Sequence, residues 1–215
     1  MEIKNAKPQS DRTELHERIL AVTIKMFHEQ GIRSVRMDDI ASHLSISKRT
    51  LYEMFQDKEE LLLECVKRKR DYKREYLKEH TCPQDNVLKV MMTFFQCHLQ
   101  EIRHINPRFF EEMGMYPRVT EYLARERSKD FDSVVSYFEK GREQGIFRPE
   151  VDMKLFIGLL NLTLDKAMES NLSKEYPADL IFGAVIFTYL RGISTEKGQK
   201  ILNEYELTMQ PDLND

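Results

Sequence analysis

Ser47, Lys48, Arg49, Thr50, Tyr52 and Lys58 crowd hydroxyls and cations into one short stretch of chain. These are the side chains that hydrogen-bond phosphate oxygens and base edges. Lys48, Arg49 and Thr50 stand at the exposed start of a short helical segment, where they can reach a nucleic acid. Tyr52 lies beside inward-facing Leu51, so its hydroxyl is predicted to be free to meet a phosphate oxygen. Lys58 opens the next helix, where its charge adds to unpaired backbone N–H groups and makes an anion site. Taken alone, the same cluster also fits solvated charges on a small structural bundle.

The elements that hold this stretch read as helices throughout. From Arg12 to Gln30 the apolar residues Leu15, Ile19, Val22, Met26 and Phe27 recur at the spacing of one helical face. Asp11 with Glu14 has the spacing of a capping box for the start of that helix, and Gly31 supplies its stop. Two short helices follow, Asp38 to Leu44 and Lys48 to Phe55, separated by Ser45-Ile46-Ser47. Ser47 is a good N-cap for the second of them. Asp57 and Glu60 repeat the capping-box spacing and open a long helix running to about His80 with no linker. Three compact helices with a tight turn between the second and third are the parts of a helix-turn-helix reader.

Beyond Pro83 further helices are predicted over 87–102, 108–113, 117–140, 151–170, 178–191 and 195–208. No strand-like alternation or repeat interrupts them. The chain reads as all-α, with a helix-turn-helix domain over 1–58 and a larger helical domain over 59–215.

Other chemistries find less support in the sequence. Cys97-His98 and His80-x-Cys82 bring soft ligands close, but no second pair follows at zinc-like spacing, so no metal and no cofactor is assigned. Cys65 and Cys97 fall on apolar patterns and read as small core residues. No residue set specifies a nucleophile with its base, and the chain does not read as an enzyme. The basic run Lys67-Arg68-Lys69-Arg70 spreads around all faces of a helix and is balanced by Asp71, Glu75 and Glu79, which fits solvated surface. With 33 Lys plus Arg against 36 Asp plus Glu, the formal net charge is −3, so any DNA binding must use a local patch. Residues 1–80 hold 17 basic and 15 acidic groups, and residues 81–215 hold 16 and 21. Three Cys without a CxxC pair fit a reducing compartment. The first residues lack an apolar h-region, and the longest apolar stretches are too short to span a membrane. A cytoplasmic protein is predicted.

The stretch IASHLSISKRTLYEMFQDKEELL, Ile40 to Leu62, resembles the DNA-binding signature of TetR-type transcriptional regulators. Ile40, Ala41, Ile46, Ser47, Tyr52, Phe55, Lys58 and Leu61 match that pattern position by position. The resemblance implies an N-terminal reader contacting operator DNA through Ser47, Lys48, Arg49, Thr50, Tyr52 and Lys58. It also implies a larger helical domain for an effector and for dimerisation. Two positions depart from the pattern. Ser45 stands where members often have Gly, and must either accept a left-handed conformation or shift the turn. Arg36 stands where many have Thr; it cannot cap, so Asp38 or Asp39 takes that role and Arg36 becomes a phosphate contact.

The segments LFIGLLNLTL (155–164) and LIFGAVIFTYL (180–190) are apolar on every side, so each must be covered on every side. One face can join the protomer core and the other a second copy, with Phe156, Leu159, Leu160, Phe182, Ile186 and Tyr189 at the interface and Gly158 and Gly183 allowing close approach. Met91, Phe94, Phe95, Phe109, Phe110, Met113, Phe131 and Phe138 are suited to a pocket for an apolar or planar effector, with His98, Asn106 and Asp165 as polar fixing points. They are equally suited to an ordinary core, and the pocket itself is implied by the resemblance. The function so read is a homodimeric, effector-released repressor of a pseudo-palindromic operator, with half-sites about one DNA turn (~34 Å) apart. The alternative is a helical module that docks on protein without binding DNA.

Overall fold

The computed structural model describes residues 7–170 and 172–209. Its helices are α1 Lys7–Gln30, α2 Met37–His43, α3 Lys48–Met54, α4 Lys58–His80, α5 Val87–Ile102, α6 Pro107–Met113, α7 Pro117–Glu143, α8 Met153–Glu169, α9 Leu172–Glu175, α10 Ala178–Ile193 and α11 Glu196–Met209. The all-α reading holds, with a single isolated bridge between Phe147 and Ser194 among the described residues. Four-residue α9 has no counterpart in the periodicity, being too short to show any. Of residues 1–12, on which the reading of an absent leader rests, residues 1–6 lie outside the described residues.

Local chemistry accounts for most helix ends. Gly31 takes φ 85°, the left-handed stop that a side chain resists. Asn86 and Asp152 cap α5 and α8 by accepting the Lys89 and Leu155 N–H groups at 2.9 and 3.0 Å. The start of α1 corrects the sequence reading. The helix is already running at Lys7, upstream of the Asp11–Glu14 box, and Pro8 in its first turn removes no intrahelical hydrogen bond.

Two compact units divide the chain. The first takes the residues up to Tyr72 together with Ile105–Ala124; the second takes Lys73–His104 and the residues from Arg125 onward. This division differs from the boundary at 58/59, because α4 contributes to both units and α6 with the start of α7 joins the first. Non-local bonds within the first unit explain the assignment. Asn106 donates its backbone N–H to the His28 carbonyl at 2.7 Å and its side-chain amide to the Glu29 carbonyl at 3.2 Å. The same side chain accepts the Arg108 N–H at 3.0 Å, so one residue ends α1 and begins α6. Glu112 accepts the Arg33 N–H at 2.7 Å, and the Arg118 guanidinium meets both Asp57 and Glu59 at the start of α4.

The core of the first unit is built on Ile19, Phe27, Ile32, Ile40, Leu51, Phe55, Leu61 and Leu62, joined by Phe109 and Val119. In the second unit Leu88, Met92, Phe138, Phe147, Phe156, Ile186, Leu190 and Leu202 form the core where α10 packs on α8 and α5. Gly141 is required there: a Cβ would fall 2.5 Å from the Phe147 ring.

Candidate nucleic-acid interface

Helix α3 is short and is fixed by three local devices. Leu51 and Phe55 are buried beneath it, and Ile46 in the preceding turn packs against the same core. Ser47 accepts the Thr50 N–H at 3.0 Å, and the two hydroxyls share a hydrogen bond at 2.7 Å. The turn accepts Ser45 in the left-handed region at φ 55°, which leaves the Ile46 N–H bonded to the Ala41 carbonyl at 3.0 Å. A non-glycine residue there carries strain of about 1 kcal/mol.

This framework leaves Lys48, Arg49, Tyr52 and Glu53 exposed on one side of α3, with Tyr52 48% exposed. The Lys48 ammonium lies 2.5 Å from Asp38, and the Arg49 Nε lies 2.8 Å from Glu53. Both pairs are solvated, so each is worth roughly 0.2–1 kcal/mol and can be exchanged for a phosphate at small cost. At the start of α2 the Asp39 carboxylate accepts the Arg36 N–H at 2.8 Å. Asp39 therefore closes the helix end, and the Arg36 guanidinium remains exposed beside it.

Lys58 is placed differently from the expectation of an open anion site. Its ammonium donates to the Ile32 and Val35 carbonyls, each at 2.9 Å, and approaches that of Arg33 at 3.4 Å. Burial lowers its pKa, more than nearby Glu112 raises it. The first turn of α4 is also occupied: Asp57 accepts the Glu60 N–H at 2.7 Å, and Glu60 returns to the Gln56 N–H at 2.6 Å. Lys58 thus ties the α1–α2 loop to α4, a role that sequence alone does not show because the carbonyls lie far back in the chain.

The residues assigned to an effector separate into groups. Phe109, Phe110 and Met113 pack in the core of the first unit, and Met91 and Phe138 are buried in that of the second. Asp165 is engaged in a two-pronged pair with Arg127, at 2.5 and 3.2 Å. Phe95 and Phe131 are half-buried against the second core. His98 sits between the rings of Phe94 and Phe182, at 6.2 and 5.1 Å. Its Nδ1 lies 2.7 Å from the Lys73 ammonium, which lies 3.5 Å from Glu101. Burial first, and Lys73 second, lower the His98 pKa to about 4, so at neutral pH it is an uncharged acceptor.

The dimer assignment also shifts. Phe156, Leu160 and Ile186 are buried within the protomer, and Phe182 and Tyr189 are half-buried. On α8 it is Leu155, Leu159 and Leu162 that face outward, 62%, 46% and 55% exposed, and on α10 Leu180. Of the six residues expected there, Leu159 alone is exposed.

The remaining chemistry is quiet. No three His, Cys, Asp or Glu side chains gather as metal ligands among the described residues, and no described helix is long and apolar enough to cross a membrane. Burial pushes the Cys65 thiol up, away from reactivity. In the basic run Lys67 pairs with Glu64 at 2.6 Å and Arg68 with Glu17 at 2.9 Å.

Residues 19–65, from the middle of α1 into α4, match the family model described as bacterial regulatory proteins, tetR family. The transcriptional repressor KstR2 of Mycobacterium tuberculosis H37Rv is 24% identical over 143 residues, covering 64% of this chain and 71% of that protein. In fold the chain is similar to a TetR-family transcriptional regulator from Marinobacter aquaeolei VT8, with TM-score 0.71 and 18% identity over 91% of this chain and 98% of that one. It is also similar to a transcriptional regulator from Saccharomonospora viridis solved in complex with choline, with TM-score 0.68 and 18% identity over 86% and 100% of the two chains. The family and these relatives are regulators of transcription and not enzymes. Residues 19–65 therefore carry the DNA-binding helix-turn-helix of the tetR family of bacterial regulatory proteins, at the N-terminal end of an all-helical chain similar in fold to regulators of that family.

Proposed function

We propose that this chain is a repressor that binds a pseudo-palindromic operator as a homodimer in the cytoplasm and is released by a small apolar or aromatic effector. The observation that carries this reading is the outer face of α3, where Lys48, Arg49 and Tyr52 stand in solvent on a helix locked from beneath by Leu51 and Phe55. Arg49 and Lys48 are placed to read base edges once they leave Glu53 and Asp38. Tyr52, Arg36 and the Ser47 and Thr50 hydroxyls are placed for phosphate oxygens. That the similar KstR2 is a repressor supports the direction of control.

Dimerisation is assigned to the exposed row Leu155, Leu159 and Leu162 on α8, with Leu180 on α10. A Cβ built at Gly158 or Gly183 would meet nothing within 4 Å, so the protomer leaves room for a second helix to approach. The effector is assigned to the second unit, where Phe94, Phe95 and Phe131 offer apolar surface and neutral His98 a polar fixing point. Effector binding would change the separation of the two readers and so disfavour the operator spacing. Selection of genomic fragments by the purified chain, followed by a search for compounds that release them, tests both halves. Failure to retain any duplex would overturn the DNA reading, and release by none would overturn the effector reading.

A further inference from the structure

Helix α3 meets a different neighbour on each flank of its exposed face. At about 100° per residue, Thr50, Glu53 and Met54 project roughly opposite to Lys48, with Arg49 and Tyr52 between them. On the Lys48 side lies the start of α2, joined by the Lys48–Asp38 pair, with Arg36 at its cap. On the other side Thr50, Glu53 and Met54 line a surface hollow with Asp11, Arg12 and Leu15 of α1, and a second hollow beside it is lined by Arg12, Thr13, His16 and Met54. Arg12 borders both hollows, is exposed, and forms no ion pair or hydrogen bond among the described residues. The Glu53 carboxylate that shares the hollow is already held by Arg49 at 2.8 Å.

A helix lying in a major groove has a phosphate wall on each side, and the groove is about 12 Å wide. With Arg36 assigned to one wall, the other is left to whatever cation stands beyond Thr50 and Glu53. We infer that Arg12 is a DNA-backbone contact, taking a phosphate on the strand across the groove from the one met by Arg36. This rests on α3 entering a major groove as proposed above. The contact is electrostatic and independent of base sequence, so it belongs to affinity and register and not to base choice. Asp11, which lines the same hollow, opposes it by its charge.

The test uses the full chain and a labelled 30-bp duplex of mixed sequence, titrated by fluorescence anisotropy between 50 and 200 mM salt. Arg12→Ala should weaken binding several-fold and reduce the slope of log affinity against log salt by about 0.9, the share of one phosphate. Arg12→Lys should retain the slope, and Asp11→Asn should tighten binding. Arg18→Ala removes an equally exposed arginine on another face of α1 and should leave the slope unchanged. Because Arg12 is exposed, the unfolding temperature of the variants should match the parent. A parental slope in Arg12→Ala, or an equal fall in Arg18→Ala, overturns the inference. If Arg49→Ala loses affinity while Arg12→Ala does not, the DNA reading survives and the Arg12 contact alone fails. No duplex binding by the parent chain overturns both.

Discussion

The Lys58 ammonium stands 2.9 Å from the Val35 carbonyl, one residue before the cap of α2. Together with its bond to Ile32, this makes the first turn of α4 the support of the loop that aims the helix-turn-helix. Hydrogen bonds from a charged donor contribute about 1.5–3 kcal/mol, and the carbonyls would otherwise lose their partner. Lys58→Ala should therefore lower unfolding stability by roughly 1–3 kcal/mol. The salt slope of DNA binding should change by much less than the ~0.9 unit of a phosphate contact. A full unit of slope lost with stability intact would instead make Lys58 a backbone contact.

Asp38 and Glu53 hold the two cations that α3 presents. Removing either carboxylate frees its partner and takes one negative charge from a surface that faces phosphates. Asp38→Asn and Glu53→Gln should each tighten binding to a mixed-sequence duplex by about two- to fivefold, the equivalent of an exposed pair. Glu53→Gln carries a second expectation. An acidic side chain on a reading face accepts from cytosine N4, so this variant should also relax the preferred sequence, seen by repeating fragment selection. Weaker binding in both variants would show that the pairs hold the cations in reading position.

Ser45 bears the left-handed turn at φ 55°. Glycine relieves strain of about 1 kcal/mol at such a position but adds freedom to the unfolded chain, so Ser45→Gly should stabilise by no more than about 1 kcal/mol. Because the turn already has the glycine geometry, DNA affinity should stay within twofold. A calorimetric midpoint below the parent's would contradict the strain argument.

What could be read from the sequence was local. Ser47 capping Thr50, Leu51 and Phe55 pointing inward and Gly31 ending α1 depend on residues within a turn of one another, and spacing shows them. The partners of Lys58 lie 23 and 26 residues away, and spacing does not. The same applies to Asn106, Glu112 and Arg118, whose bonds to α1, its loop and α4 draw Ile105–Ala124 into the first unit. They take Phe109, Phe110 and Met113 away from the effector domain to which their aromatic character assigned them. Helix α8 shows a different limit. A helix apolar on every side has no polar stripe to give its phase, so periodicity could not tell Phe156 and Leu160 from Leu155 and Leu159.

That phase makes a paired prediction. Leu159 is 46% exposed in the protomer, whereas its neighbour Leu160 is 7% exposed. Leu159→Glu should leave the helical content unchanged and weaken the dimer. Each leucine removed from an interface costs about 1.5–3 kcal/mol, and a two-fold axis counts it twice, so the dissociation constant should rise by a factor of about 100 or more. Leu160→Glu should instead prevent stable folding, because it buries a charge. Sedimentation analysis checks the first and circular dichroism the second. A Leu159→Glu protein that remains dimeric would place the interface elsewhere.

His98 gives the second unit a dependence on acid. The ring is held between Phe94 and Phe182, accepts from Lys73 through Nδ1 and has Glu101 beyond that ammonium. Its pKa is lowered to about 4 from the ordinary imidazole value of 6.5, by burial above all and then by Lys73, against a smaller opposite effect of Glu101. Above pH 6.5 the ring is neutral whether the chain is folded or unfolded, and the stability that goes with the neutral ring is fully present. As pH falls the unfolded chain binds the proton first, so stability declines from about pH 6.5 until the folded ring also protonates near pH 4. At pH 5 the expected loss is about 2 kcal/mol. Glutamine at this position keeps a neutral acceptor for Lys73 and cannot titrate. His98→Gln should therefore unfold in urea with a midpoint that falls less between pH 7.5 and pH 5 than the parent's. Parallel declines in the two proteins would show that His98 protonates as freely in the folded chain as in the unfolded one.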